Sequence, residues 1–287
     1  MSELYILYRG PLGSCNYDCS YCPFAKHRST PQELDADRAG LRKFGRWVLD
    51  SPEHQHSLLF TPWGEALVRR WYPEALIELS HASHVRRVAI QTNLSASLDW
   101  VNDADLDTLA LWTTFHPSQV SLDRYLRRCE TLLERGVRFS VGIVGTRENA
   151  GFARQLRDAL PPHVYVWVNA YKSEGPGYYA PDVRAHFEAI DPLFPINAVR
   201  HASLGHACQA GESSFTVDGE GDVRRCHFIA QPLGNLYRDA LESMLAPRPC
   251  TNDTCGCHIG YVHLERLELR TRFGRGLMER IPTEVAP

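Results

Sequence analysis

Three cysteines near the start of the chain stand at a spacing that suits an iron–sulfur cluster. Cys15, Cys19 and Cys22 lie in the run CNYDCSYC, with C-x3-C-x2-C spacing. Soft thiolates favour iron and sulfur, and three of them leave one iron of a 4Fe-4S cluster without a protein ligand. Chemistry can take place at that open iron. A structural zinc ion instead needs a fourth ligand, which His27 offers, so zinc binding stands as the alternative.

The cysteine run, with Tyr21 directly before its last cysteine, resembles the cluster loop of the radical S-adenosylmethionine (SAM) superfamily, whose pattern is C-x3-C-x-aromatic-C. The resemblance implies that Cys15, Cys19 and Cys22 carry the catalytic 4Fe-4S cluster and that its open iron binds SAM. It places Tyr21 at the cofactor site. It also implies reductive cleavage of SAM to a 5′-deoxyadenosyl radical, which abstracts hydrogen from a substrate.

Length and composition favour a cytoplasmic enzyme. The 287 residues suffice for one large unit and a smaller one. The 31 Lys and Arg residues against 34 Asp and Glu form no basic run, so nothing indicates binding to nucleic acid or to a membrane. No secretory signal and no membrane-spanning stretch is evident. Nine cysteines, eight of them in two groups, favour metal binding in a reducing compartment, and we expect a monomer.

Short apolar runs alternate with longer amphipathic runs as far as about residue 170, which is typical of strand–helix units around a parallel sheet. Six such units predict an α/β fold, a partial (β/α)6 barrel of the TIM type, with reacting groups at the C-terminal ends of the strands. The predicted strands are 4–8, 57–61, 87–92, 109–114, 138–144 and 164–169. The predicted helices are 36–50, 68–80, 98–107, 122–135 and 148–160, with Cys129 a buried thiol on the fourth.

The second predicted strand ends in TPWGEAL, where a SAM site is expected. Gly64 and Glu65 resemble the Gly-Glu pair of the superfamily's GGE motif, with Trp63 in place of the first glycine. The resemblance implies that this pair receives the SAM amino group, for which a carboxylate is a suitable acceptor. In the alternative, Trp63 packs and Glu65 begins the next helix, where the helix dipole favours it.

The third and fourth strands also end in polar residues. Thr92 and Asn93 resemble residues that line the cofactor pocket of relatives, although both types are ordinary turn formers. Thr114 ends the fourth strand and His116 follows it, at the expected mouth of the cofactor site. His116 either contacts substrate or the SAM carboxylate, or is a hydrogen-bonded histidine of the rim.

The fifth strand carries VGIVGTRE, which resembles the superfamily's G-x-I-x-G-x-x-E adenine motif. Ile143, Gly145 and Glu148 match it, while Val141 stands where the first glycine would be. The resemblance implies that Ile143 and Gly145 bind the cofactor, and an ordinary core strand is the alternative. The sixth strand adds three pocket residues whose roles stay open, namely Asn169, Tyr171 and Lys172.

A second group of cysteines lies in the last third of the chain. Cys208 and Cys226 stand at C-x12-G-x4-C spacing around Gly221. Strands at 215–217 and 223–225 would form a hairpin between them, and a helix is predicted near 236–245. This order is similar to the auxiliary-cluster modules of radical SAM enzymes known as SPASM and twitch domains.

Three further cysteines, Cys250, Cys255 and Cys257, complete that group. The five together are one more than a four-thiolate cluster needs and too few for two clusters, so one auxiliary 4Fe-4S cluster is expected. Which of the last three is spare stays open, and His258 is an alternative ligand. A four-cysteine zinc ribbon is the other interpretation.

These patterns predict a radical SAM barrel at 1–195, an auxiliary iron–sulfur module at 196–259, and a helical tail at 260–287 that packs on the barrel. The predicted function is radical catalysis on an unidentified substrate, either a peptide or protein side chain or a small molecule. SAM, two 4Fe-4S clusters and an external electron donor such as flavodoxin or ferredoxin are implied. The alternatives are a non-catalytic electron-transfer protein and a zinc-binding structural module.

Overall fold

Six parallel strands form the centre of a computed structural model that describes residues 3–175 and 177–284. They pair side by side in chain order. Each ends within two residues of its predicted bounds, so the α/β prediction is confirmed. The strands are β1 (Glu3–Arg9), β2 (Gln55–Phe60), β3 (Val85–Thr92), β4 (Leu109–Phe115), β5 (Arg138–Gly145) and β6 (Val166–Ala170).

Four helices of eight residues or more connect these strands: α1 (Pro31–Leu49), α2 (Trp71–Ser80), α3 (Leu122–Glu134) and α4 (Ala150–Ala159). Helix α1 begins earlier than predicted because Thr30 and Glu33 form a reciprocal cap, in which each backbone N–H donates to the other's side chain. The predicted helix at 98–107 is wrong, since only a 3-10 turn at Asp99–Asp103 forms there.

Side chains along each strand alternate between two cores, as a pleated backbone requires. On the outer face, apolar residues of the sheet pack against α1 to α4, and Cys129 is fully buried among them as predicted. On the inner face, apolar side chains pack against the C-terminal part of the chain. The inner-face residues of the strands include Leu7, Leu59, Ala89, Ala110, Trp112 and Trp167.

The remaining elements are short. The helices are α5 (Pro181–Glu188), α6 (Phe194–Asn197), α7 (Leu241–Met244), α8 (His258–Tyr261) and α9 (Leu269–Phe273), and the strands are β7 (His201–Ala202), β8 (Ser214–Asp218), β9 (Asp222–Arg224), β10 (Pro232–Asn235) and β11 (Thr254–Cys255). The predicted hairpin forms from β8 and β9. The helix predicted near 236–245 is wrong for most of its length, because only α7 forms there.

The hairpin belongs to the main sheet. Strand β8 lies parallel to β1, with Tyr5 opposite Ser214 and Arg9 opposite Asp218. The full order of the nine-stranded sheet is β10-β9-β8-β1-β2-β3-β4-β5-β6, and β11 pairs with β7 in a separate pair. The second group of cysteines is thereby attached to the first of the six parallel strands.

The C-terminal tail covers the inner face in short helical turns rather than one helix. It reaches the sheet at Glu279, whose carboxylate lies 2.9 Å from Arg138 and 3.3 Å from Arg87. The carbonyl of Glu279 accepts a hydrogen bond of 2.8 Å from the hydroxyl of Ser140. None of the helices within residues 3–175 and 177–284 combines the length and apolar character needed to cross a bilayer.

One glycine makes room for the aromatic packing of the inner face. A Cβ atom on Gly142 would lie 1.9 Å from the ring of Trp167, which crosses it from the neighbouring strand. The indole of Trp167 donates to the hydroxyl of Ser140 at 3.2 Å and meets Trp112 edge to face, with ring centres 5.7 Å apart.

We expect Gly142→Ala to lower the free energy of unfolding by about 1–3 kcal/mol, because the indole must leave its position. Urea unfolding followed by tryptophan fluorescence measures the change. Gly45→Ala in α1 is the matched control: its Cβ meets no atom within 4 Å, so it should raise stability by roughly 0.5–1 kcal/mol. Equal stability of Gly142→Ala and wild type would contradict the packing described.

Candidate active site

A cavity of about 310 Å³ opens at the C-terminal ends of the six parallel strands. All three cysteines of the N-terminal run line it. Most of the other predicted cofactor residues line it as well: Gly64, Glu65, Thr92, Asn93, Thr114 and His116, joined by Asn169. The structure therefore brings together side chains that lie far apart in the chain.

The cysteine loop is a tight turn fixed by its own backbone. The amide of Cys22 donates to the carbonyl of Cys19 at 3.1 Å, and Lys26 bridges that carbonyl and the carboxylate of Asp18. Burial raises the pKa of Cys15 and Cys19, and the neighbouring thiols raise it further. A metal that binds these sulfurs must therefore displace protons.

The loop after β2 touches the cysteine loop directly. A Cβ atom at Gly64 would lie 1.8 Å from the carbonyl oxygen of Ser14, and the Gly64 amide donates to the carbonyl of Leu12 at 3.2 Å. Only glycine allows this approach. The glycine retained from the GGE motif is thus the one that brings the second loop against the cluster loop.

Glu65 ties the ends of two strands together. Its buried carboxylate accepts hydrogen bonds from the hydroxyl of Thr92 at 2.8 Å, the amide of Asn93 at 2.6 Å and the amide of Leu67 at 3.1 Å. Burial raises the pKa of Glu65, while the three bonds oppose that shift. Asn93 continues the connection, since its side-chain amide donates to Asn16 at 3.0 Å and lies 3.8 Å from the sulfur of Cys15.

His116 is held at the cavity wall by Tyr21. The phenol oxygen of Tyr21 lies 2.8 Å from Nδ1 of His116. Burial lowers the pKa of His116 to about 4, so its imidazole is neutral at physiological pH. Tyr21 itself does not line the cavity, and the predicted cofactor contact is better described as a contact to His116.

The fifth strand corrects the prediction for the adenine motif. Ile143 is fully buried in the outer core, because residues of odd number on β5 point away from the cavity. Val144 lines the cavity in its place. Gly145 also lies outside the lining; its carbonyl accepts a hydrogen bond of 2.7 Å from the phenol of Tyr179.

Two of the three residues predicted after the sixth strand lie elsewhere. Lys172 lines a second cavity of about 550 Å³, which shares Asn169 and Cys257 with the first. Burial lowers the pKa of Lys172 to about 8, and its Nζ donates to the carbonyl of Asn197. The ring of Tyr171 packs against Tyr178, with ring centres 5.4 Å apart.

Trp63, the departure from the GGE motif, links three parts of the site. The guanidinium of Arg9 lies 4.4 Å from its ring centre, and Phe24 and His227 lie 4.8 and 5.2 Å from it. These residues come from the end of β1, the cysteine loop and the second cysteine group. Sequence reasoning missed Arg9, although its place at the end of a strand was a signal.

Four cysteines of the second group are linked by mutual electrostatic interactions, and the fifth, Cys257, joins them through Cys255. Burial raises the pKa of Cys226 to about 12, and Cys208 and Cys250 add to the shift. Burial raises the pKa of Cys255 to about 12 as well, with contributions from Cys226, Cys250 and Cys257. Cys257 is exposed and lines the first cavity instead.

Two histidines considered as ligands point elsewhere. His27 is 62% exposed at its side chain, with Nε2 4.0 Å from the carboxylate of Glu33. His258 is packed among Trp112, Tyr261 and Phe273. Within residues 3–175 and 177–284, no three His, Cys, Asp or Glu side chains converge on one position for a single metal ion, whereas the thiolates of an iron–sulfur cluster bind separate irons.

Comparison with known proteins gives matches among solved structures alone. No family model matches the chain, and no curated protein matches it. The structure titled "Native anSMEcpe with bound AdoMet" matches with a TM-score of 0.54 at 14% identity, over 84% of this chain and 80% of that one. AdoMet is SAM, and anSMEcpe is a radical SAM enzyme. The chain has the fold of radical SAM enzymes.

Two further structures of anSMEcpe agree. A histidine-tagged form with bound AdoMet matches over 96% of this chain and 85% of that chain, with a TM-score of 0.52 at 13% identity. A complex of anSMEcpe with AdoMet and the Cp18Cys peptide also has a TM-score of 0.52 at 13% identity, over 84% of this chain and 80% of that chain. The predicted resemblance is therefore confirmed for the fold.

We expect Glu65→Gln to lower the free energy of unfolding by about 1–3 kcal/mol, because all three of its partners donate and an amide nitrogen cannot accept. Chemical denaturation of the metal-free protein measures the loss. Glu130→Gln, an equal charge change at an exposed position of α3, should leave stability within about 0.5 kcal/mol. If the two variants unfold alike, Glu65 does not tie the loops.

Proposed function

We propose that this chain is a radical SAM enzyme. The observation that carries the proposal is the convergence of Cys15, Cys19 and Cys22 with the loops after β2, β3 and β4 around one cavity at the C-terminal ends of parallel strands. In open α/β folds and barrels, that end of the sheet is where ligands bind. The likeness of the fold to AdoMet-bound structures supports it.

The residues of the cavity fit both cofactors. Three soft thiols on one loop suit a cluster with one open iron. At Gly64 there is no space for a Cβ atom, so backbone groups of the loop after β2 lie directly against the cysteine loop. Thr92 and Asn93 add hydroxyl and amide groups from the third loop. These groups would hold the cluster and the polar end of SAM.

When bound, the cluster and SAM supply a 5′-deoxyadenosyl radical that abstracts hydrogen from a substrate. The residues of the chain would position the bound groups and shield them from water. Val144, Trp112 and Trp167 give the cavity apolar walls that exclude water. His116, neutral and fixed by Tyr21, offers a hydrogen-bonding group without a competing charge.

We further propose that Cys208, Cys226, Cys250 and Cys255 hold one auxiliary 4Fe-4S cluster. Their proximity and burial support this ligand set, and four thiolates complete such a cluster. Cys257 is then the spare cysteine. The proposed module at 196–259 would anchor substrate or accept an electron, and an external donor such as flavodoxin or ferredoxin would reduce the first cluster.

Two classes of substrate are candidates for this site. The anSMEcpe structure with a bound peptide supports a peptide or protein side chain as one candidate. The first cavity, of about 310 Å³, supports a small molecule as the other. Both would enter where the two cavities meet, beside Asn169 and Cys257.

The first experiment tests the proposed class of enzyme. After anaerobic reconstitution with iron and sulfide, we expect the protein to form 5′-deoxyadenosine from SAM and dithionite, measured by chromatography. Replacing Cys15, Cys19 and Cys22 together with Ala should abolish the product and leave the auxiliary iron. Cys129→Ala, which changes a buried thiol on α3, should keep both.

Other outcomes would contradict the proposal. Bound iron without 5′-deoxyadenosine would favour an electron-transfer protein, and zinc as the sole bound metal would favour a structural module.

The second experiment tests the auxiliary ligand set. Two 4Fe-4S clusters correspond to about eight irons per chain, and we expect Cys257→Ala to keep them all. Cys226→Ala should retain about four, because it removes a ligand of the auxiliary cluster. Iron analysis and the visible absorption of the clusters give the count. Equal iron loss in both variants would place Cys257 among the ligands.

A further inference from the structure

An arginine without a carboxylate partner stands in the inner wall of the cavity. Arg280 is 2% exposed and lines the cavity beside Trp112 and Trp167. Its guanidinium carbon lies 4.4 Å from the ring centre of Trp167 and 5.8 Å from that of Trp112. Within the parts of the chain that the structure describes, it makes no hydrogen bond or ion pair, and its Nε atom is buried without a partner.

The backbone around Arg280 holds this side chain in place. Its φ angle of 56° lies in the left-handed region, which non-glycine residues seldom adopt. On one side, Glu279 is fixed by Ser140 and Arg138. On the other side, the amide of Ile281 donates to the carbonyl of Gly276 at 2.9 Å. Strained backbone that its surroundings enforce is typical of ligand sites.

Asp191 does not form an ion pair with Arg280. Asp191 interacts with Arg280 electrostatically, but its carboxylate accepts from the phenol of Tyr165 at 2.5 Å and from the amides of Val168 and Leu193 at 2.9 Å. Those bonds fix Asp191 on the protein's own backbone. The guanidinium face towards the cavity is left for another acceptor.

The other charges of the cavity add to the positive potential. Arg9 hydrogen bonds to two uncharged partners, Thr61 and His227. Lys26, also in the lining, is paired with Asp18 outside it. Glu65 is the acidic residue of the lining, and its oxygens are occupied by three donors. Two guanidinium groups thus face the same space without a carboxylate.

We propose that Arg280 binds an anionic group of the substrate, a carboxylate or a phosphate, inside this cavity. A planar guanidinium recognises both oxyanions with paired hydrogen bonds, and the indole of Trp167 orients the plane. The proposal rests on the proposed function and adds the substrate class to it. The wall that carries Arg280 is formed by β4, β6 and the tail, whereas the cysteine loop follows β1.

Equilibrium dialysis of the reconstituted protein with three small aromatic probes tests this proposal. Benzoate and phenyl phosphate carry the two anions, and benzamide is the neutral isostere of benzoate. We expect at least one anion to bind roughly tenfold or more tightly than benzamide, and the better anion identifies the group. Arg280→Met should reduce that anion to the affinity of benzamide, whereas Arg154→Met, at a partly exposed position of α4 outside the lining, should not change it.

Several results would overturn the proposal. Equal binding of benzamide and both anions to the wild type, or a preference that survives in Arg280→Met, would do so. Weaker binding of SAM to Arg280→Met would assign the arginine to the SAM carboxylate instead. A fall in Tm of more than about 5 °C in that variant would mark a structural partner of Asp191, since removal of an unpaired buried charge should not destabilise the fold.

The probes are tested without SAM and without dithionite, so this experiment is independent of turnover. If the wild type binds an anion through Arg280 but forms no 5′-deoxyadenosine, the proposed function fails and the anion site stands. If 5′-deoxyadenosine forms and no anion preference is found, the opposite holds.

Discussion

The shape of the cavity depends on one buried carboxylate. Glu65 accepts from the loops after β2 and β3 at once, and a carboxylate in that position is tolerated only because donors meet both of its oxygens. Through Asn93 and Asn16 the same network reaches the cysteine loop. Gly64 completes it, since the close contact with Ser14 leaves no space for a side chain. Three loops distant in sequence are thereby held as one surface.

The packing of the inner face of the sheet is determined by two tryptophans. Trp112 and Trp167 occupy the space that smaller side chains fill on β1, β2 and β3, and Gly142 lies between them. The C-terminal tail closes the opposite end of this space through Glu279. The wall of the cavity at β4, β6 and the tail is therefore aromatic and carries Arg280.

Local patterns in the sequence predicted much of this arrangement. The six parallel strands are apolar runs with little ambiguity of length, and the cysteine loop is a contiguous motif, so both could be predicted within a few residues. The face of the sheet on which Ile143 lies could not be predicted. When both faces of a strand are apolar, the sequence does not show which alternate residues point inward, and the packing of neighbouring elements decides it. The helix predicted at 98–107 is wrong for a related reason, because one amphipathic turn in the sequence does not imply that a longer helix forms.

Other parts of the site depend on contacts between distant segments. Nothing in the run GLMERIP distinguishes Arg280 from a surface arginine, and only the placement of Glu279 under β3 and β5 brings it inside. Cys257 is another such case: one residue separates it from Cys255, but Cys255 pairs with His201 in the β11–β7 pair, whereas Cys257 lies beyond that strand and is exposed. In the sequence, Trp63 is only a departure from the GGE motif, whereas in the fold its ring packs against the guanidinium of Arg9.

The parallel pairing of β8 with β1 has a consequence for how the two cysteine groups can move. Because the pairing continues the hydrogen bonds of the main sheet over five residue pairs, a hinge between the groups would have to break a buried ladder. The separation of the two cysteine groups is then set by the sheet. Removal of β8 would expose the edge of β1 and invite intermolecular strand association.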